Sequence, residues 1–188
     1  MDSKIKSKKE NGNADVTDKA PDPNVKEQAK PRPTPMEIFG TLTSVMMQSQ
    51  PHRHLFLSDL DWWLFPALRL NQVRIFHDGK RAIGFALWAK VSDEVDAELN
   101  RGTHKLRPAD WKSGKQLWLM ELIVPSANPK LLQDLLGELL KGPFAGEKFK
   151  MHLKDPKTGK LRAAELGPKV SSEEIEAAAA DKAQQPSQ

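Results

Sequence analysis

Val73-Arg74-Ile75-Phe76-His77-Asp78-Gly79-Lys80-Arg81-Ala82-Ile83-Gly84-Phe85-Ala86-Leu87-Trp88-Ala89 sets two apolar runs on either side of an Asp-Gly pair. That pairing is a strong short-range signal for a β-hairpin, because Asp and Gly tolerate the positive φ of a tight turn. The two runs are therefore read as antiparallel neighbours. Downstream, Ser92 to Asn100 is a short polar helix broken by Arg101-Gly102, and Leu117 to Val124 is a buried strand stopped by Pro125. Pro129 to Leu140 places leucines at 131, 132, 135, 136, 139 and 140, the stripe of an amphipathic helix, and Gly142-Pro143 ends it. Phe149 to Leu153 alternates, and the turn Asp155-Pro156-Lys157-Thr158-Gly159 returns the chain into a last strand, Leu161 to Leu166.

Upstream, Met36, Phe39, Leu42 and Met46 recur at helical spacing behind Thr34-Pro35, which predicts a helix with Thr34 as N-cap and proline at its first position. It ends before Gln50-Pro51. Ser58 is expected to open a second helix running to Leu68, with Pro66 kinking or ending it and Trp62, Trp63 and Phe65 in the core. The order α, α, β, β, α, β, α, β, β predicts an α+β fold, a mainly antiparallel sheet covered by helices.

Composition bounds what such a fold does. The chain has 188 residues, 38% of them hydrophobic, enough for one domain, and no apolar run nears the ~20 residues of a membrane span. The first thirty residues lack the apolar stretch of a secretory signal, so the expected compartment is the cytoplasm. With no cysteine there is no disulfide scaffold, thiol nucleophile or Cys-based zinc site. Residues 1–34 hold 8 basic and 6 acidic side chains, four prolines and no aromatic, and are expected to be a disordered tail. Residues 168–188, with Ala177–Ala180 and a polar end, are expected to be flexible, leaving 35–167 as the functional domain. The stretch 35–165 carries a net charge of +4, which suggests an acidic partner. Nucleic acid fits poorly, since no basic stripe interleaves with stacking aromatics. Arg69, Arg74 and Lys112 belong to the nearest thing to a basic patch, which reads either as a solvated surface or as a dock for an acidic protein.

Two residues stand out as chemistry. His52 lies between two predicted helices, behind Pro51, where a side chain that titrates near neutrality is well placed to accept a proton; the alternative is a surface histidine. Glu121 sits inside the apolar run Leu117-Trp118-Leu119-Met120-Glu121-Leu122-Ile123-Val124, where a carboxylate is costly unless it is paired. Strand alternation places it with Leu117, Leu119 and Ile123, away from Trp118, Met120 and Leu122. A His–Glu pair is one reading and an edge-strand salt bridge the other. Dinucleotide, P-loop and H-E-x-x-H motifs are missing, and the Asp93/Glu94/Asp96/Glu98 cluster is a solvated face, so no metal is expected.

Several motifs then fall in register. Pro35-Met36-Glu37 with Gly40, Ser49-x-x-His52-Arg53, Pro66-Ala67-Leu68-x-x-Asn71-Gln72, and Trp88-Ala89 with Ser92 are followed by Asp110-Trp111-x-Ser113-Gly114-x-x-x-Trp118, Ile123-x-Pro125 and Asp155-Pro156-Lys157-Thr158. Together, across about 35–167, they make the chain similar to the toxin-activating lysine acyltransferases, bacterial proteins that activate RTX protoxins such as hemolysins. The resemblance implies a GNAT-like domain, often a homodimer. It also implies transfer of a fatty acyl group from acyl carrier protein, a phosphopantetheine thioester, to the ε-amino group of internal lysines of a protein, with no permanently bound cofactor. His52 takes the place of the family's histidine and Ser49 that of a nearby serine. Glu121 stands where the best-known members have Asp, one methylene longer. Asn71 and Gln72 are candidates for contacts to the pantetheine arm, or else form a turn. An acyl-CoA-dependent acetyltransferase is the rival enzyme, but Pro125-Ser126-Ala127-Asn128-Pro129-Lys130 lacks the glycines of a pyrophosphate turn. A non-catalytic relative that only binds a carrier or protein is the other alternative.

Overall fold

The structure, a computed structural model, describes residues 33–102, 105–126, 128–154, 158 and 160–167. The expected tails, apart from Pro33 and Thr34, lie outside the described residues, as do His104 and most of the Asp155–Gly159 turn.

Helix α1 spans Pro35–Gln48 and begins as its sequence dictates. Thr34 Oγ1 accepts the Glu37 amide at 3.3 Å while Glu37 Oε2 accepts the Thr34 amide at 2.6 Å, so two otherwise orphaned N–H groups are satisfied reciprocally. Helix α2 spans Leu60–Arg69. Ser58 does not cap it: Ser58 lies inside a 3₁₀ turn, Leu57–Asp59, closed by Asp59 Oδ2 accepting the Phe56 amide at 3.1 Å. Pro66 does not end the helix either, which continues to Arg69.

Strands β1 (Val73–Asp78) and β2 (Arg81–Val91) form the expected hairpin, with Asp78 paired to Arg81 across Gly79-Lys80 and Gly79 at φ +58°. Helix α3 (Asp93–Asn100) is capped by Ser92, and a 3₁₀ turn at Pro108–Trp111 precedes β3 (Gln116–Ile123). Helix α4 (Pro129–Lys141) crosses to β4 (Phe149–Lys154), and β5 (Leu161–Leu166) completes the sheet in the order β1-β2-β3-β4-β5. Every neighbouring pair is antiparallel except β3 and β4, which the α4 crossover makes parallel. The fold is α+β, with the element order read from the sequence.

Two apolar layers sandwich the sheet. Leu42, Val45, Trp63, Leu64, Val95 and Leu99 from α1, α2 and α3 pack with Phe85, Leu87, Ala89, Trp118 and Ile123. The leucine stripe of α4 packs with Ala86, Leu117, Leu119, Leu122 and Met151. Trp63 is buried as expected, but Trp62 and Phe65 are only half-buried and line surface cavities.

The strand alternation expected for Glu121 fails at one residue. Pairing steps from Leu87↔Glu121 to Trp88↔Leu119, leaving Met120 as an unpaired β-bulge. Leu117, Leu119 and Leu122 therefore face α4, while Met120 and Glu121 both face the α1–α2 side, together with Trp118 and Ile123. The bulge turns Glu121 to the opposite face from Leu117 and Leu119.

The loop before β3 is anchored by close backbone contact. The Gly114 amide donates to the Lys90 carbonyl at 3.1 Å, and a Cβ at Gly114 would fall 2.4 Å from the Val91 carbonyl oxygen and 2.6 Å from Ser92 Cα. Gly137, in α4, has nothing within 4 Å of such a Cβ. Gly114→Ala should thus lower stability by about 1–3 kcal/mol, while Gly137→Ala should raise it by up to about 1 kcal/mol through helix propensity. Urea midpoints of the two variants read these opposite signs; a neutral Gly114→Ala would contradict the packing described.

Candidate active site

The chain leaving α1 winds tightly: Ser49 O accepts the amides of both His52 (3.1 Å) and Arg53 (3.0 Å). This turn brings residues three apart face to face, and Ser49 Oγ lies 2.7 Å from His52 Nδ1, with Ser49 buried. The imidazole stacks on Trp63 of α2, ring centroids 6.0 Å apart and 14° from parallel. Its other nitrogen, Nε2, faces Glu121 Oε2 across 4.0 Å. The side chains of His52 and Glu121 keep 17% and 23% of their surface exposed, so both are screened yet reachable. Ser49 and His52, three residues apart, and the distant Glu121 are thus one constellation, and the Met120 bulge aims the Glu121 carboxylate.

A cavity of about 350 Å³ opens in front of it, walled by Trp62, Trp63, Trp111, Leu106, Met120 and Leu55. Its lining is apolar apart from His52, Glu121 and Asp59. Lys105 Nζ sits 4.9 Å above the Trp62 ring, and Leu55, Phe56 and Leu57 are exposed beside the cavity. Sequence reading missed Trp62, Trp111, Leu106 and Met120 as cavity walls; the tryptophan pair beside a mid-helix proline was the available signal.

The other predicted site residues are not gathered there. Gln72 is buried, its Nε2 donating to the Trp111 carbonyl at 3.1 Å, and its Oε1 accepts no hydrogen bond among the described residues. Asn71 makes the turn into β1 at φ 54°. Arg69 and Asn71 line a separate apolar groove between α1 and α2. Arg74 pairs with Glu138 of α4, on the other face of the sheet from Arg69, and Lys112 is exposed beside the end of β2. Arg69, Arg74 and Lys112 therefore do not form a single patch. Among the described residues no group of acidic, histidine or cysteine side chains has the arrangement of a metal site.

The family profile described as the RTX toxin acyltransferase family, HlyC, matches residues 32–165. The chain belongs to this family. It is 29% identical over 113 residues, 60% of this chain and 74% of the relative, to lysine-acyltransferase RtxC of Vibrio cholerae. It is 26% identical over 127 residues, 68% of this chain and 72% of the relative, to protein-lysine myristoyltransferase HlyC of Escherichia coli. An uncharacterized Synechocystis protein, sll0720, is 31% identical over 103 residues, 53% of this chain and 70% of that protein.

Several of the motifs that carried the family resemblance build the scaffold behind the cavity. Asp110 is buried and accepts from the Arg107 amide (3.0 Å), Nε (2.9 Å) and Nη2 (3.0 Å), closing the 3₁₀ turn that delivers Trp111. Ser113 Oγ donates to the Asp110 carbonyl and accepts the Ser92 amide, both at 2.9 Å, tying that turn to the end of β2.

The Arg107 hydrogen bonds hold the Asp110 carboxyl below its usual range. A carboxyl depressed on folding adds stability above its unfolded pKa of ~3.9, and that stability fades as pH falls through the lower folded value. Asp110→Asn should therefore be less stable than the native chain at pH 7, with the gap closing below about pH 4. Denaturant midpoints across pH check this; a gap that is constant with pH would contradict the ionic origin.

Proposed function

We propose that the chain is a protein-lysine acyltransferase that moves a fatty acyl group from the phosphopantetheine thioester of acyl carrier protein to a lysine of an RTX-type protoxin. The observation that carries this reading is the Ser49–His52–Glu121 arrangement at an apolar cavity, in a chain of the toxin acyltransferase family. The reaction takes place in residues 35–167, in the cytoplasm, where acyl carrier protein is found, and the working assembly is a dimer.

A lysine ammonium cannot attack a carbonyl until it loses a proton. Ser49 Oγ, 2.7 Å from Nδ1, accepts the Nδ1–H and so selects the tautomer whose Nε2 lone pair faces the cavity. The lysine amine enters between Nε2 and the Glu121 carboxylate, which attracts the ammonium and afterwards stabilises the imidazolium. After the ammonium has lost its first proton to solvent, the neutral amine nitrogen forms the amide bond to the acyl carbon and passes a second proton to Nε2; the C–S bond breaks, and the departing thiolate takes that proton from Nε2. The tryptophan walls hold the alkyl chain away from water.

The N-terminus of α4 favours a carrier over a CoA donor. Pro129 brings no amide hydrogen, and the Leu131 amide already donates to Asn128 Oδ1 at 2.8 Å, so two of the first three donors a pyrophosphate would use are missing or spent.

His52→Ala should cost about 10²–10⁴ in kcat with an unchanged fold. Ser49→Ala should cost about 10-fold, the imidazole losing its tautomer lock but keeping its position on Trp63. Acyl-lysine formation followed by mass spectrometry with acyl carrier protein and a protoxin fragment gives these rates. Native rates in His52→Ala, or equal turnover with acyl-CoA, would overturn the proposal.

A further inference from the structure

Pro66 lies inside α2, where the amide of an ordinary residue would donate to the carbonyl four residues earlier, that of Trp62. Proline has no amide hydrogen, and its ring crowds that same carbonyl. The Trp62 oxygen is not left idle: it accepts Trp111 Nε1–H at 3.1 Å, from 49 residues away. Trp111 is 1% exposed and its own carbonyl is held by Gln72 Nε2, so both ends of the residue are fixed. Its ring walls the cavity that His52 and Glu121 face, and the next residue of α2 after Trp62 is Trp63, on which His52 stacks.

A proline in the middle of a ten-residue helix is a poor choice for helix stability. Its cost is understandable if the vacated carbonyl has a use. We propose that Pro66 is a positioning residue: by leaving the Trp62 carbonyl without a helical donor it reserves that oxygen for the Trp111 indole, locking the turn at 108–111 to α2 and fixing the tryptophan wall beside His52. This rests on the acyltransferase reading for its kinetic consequence, but the lock itself is independent of it.

The test uses the full chain with Pro66→Ala, Trp111→Phe and the double variant. Pro66→Ala restores a helical amide, so it should fold at least as well as the native protein. The chain's five tryptophans give five indole N–H resonances, and the one missing in Trp111→Phe assigns Trp111. In Pro66→Ala that resonance should shift toward the position of a solvent-exposed indole and exchange faster with deuterium. Pro66→Ala should also lower kcat about three- to tenfold with little change in KM, and the double variant should be no slower than Trp111→Phe alone. An indole resonance unmoved by Pro66→Ala, a native kcat in that variant, or losses that multiply in the double variant would each overturn the proposal. A native protein that transfers no acyl group, yet whose Trp111 indole responds as described, would refute the acyl-transfer reading while supporting the lock.

Discussion

One unpaired residue in β3 decides where the candidate site of this protein forms. Met120 interrupts the ladder between β2 and β3, and the extra residue turns Glu121 onto the face where α1 and α2 pack. Regular alternation from Leu117 and Leu119 would have sent the carboxylate into the leucine layer under α4, an apolar surrounding in which a charge is costly. The bulge thus solves two problems at once: it spares the core a buried charge and sets a carboxylate opposite an imidazole. β-Bulges are commonly used to re-aim a side chain next to a functional site, at the modest expense of one ladder position.

The remainder of the site is organised from α2 outward. That helix supplies Trp63 as the platform under His52, Trp62 as a cavity wall, and through Pro66 a spare carbonyl that captures Trp111. The Asp110–Arg107 pair and the Ser113 hydrogen bonds fix the turn that brings Trp111 in, and Gly114 lets that turn lie directly against the end of β2. Few polar groups remain inside the cavity, so the His52 imidazole and the Glu121 carboxylate face one another in an environment drier than bulk water.

The fold was largely legible because its signals are local. Capping at Thr34, the Asp-Gly turn, the leucine stripe after Pro129 and the stop at Gly142 all act within a few residues, and each is where the structure has it. Legibility failed where a feature depends on a partner distant in sequence. The Met120 bulge exists only through its register with β2, so alternation places Glu121 correctly relative to Leu122 and Ile123 but wrongly relative to Leu117 through Met120. Ser58 looked like a helix cap, yet Asp59 closes the turn because its carboxylate reaches the Phe56 amide. Pro66 reads as either a kink or a stop; the helix runs on to Arg69, and a proline can stay inside a helix where the carbonyl it orphans finds another donor, here 49 residues away. Gln72, whose sequence position fits either a ligand contact or a turn, is buried with its Nε2 on the Trp111 carbonyl, a bond across 39 residues that no local pattern signals.

The central claim is that Glu121 works through His52 rather than beside it, across the 4.0 Å that the bulge sets. A double-mutant cycle on acyl-lysine formation with His52→Ala, Glu121→Gln and the combination measures this most directly. Glu121→Gln should slow the native enzyme but leave the His52→Ala variant unchanged to within about twofold, because the carboxylate has no base left to assist. Losses that simply multiply, with Glu121→Gln costing as much in the absence of His52 as in its presence, would contradict this claim.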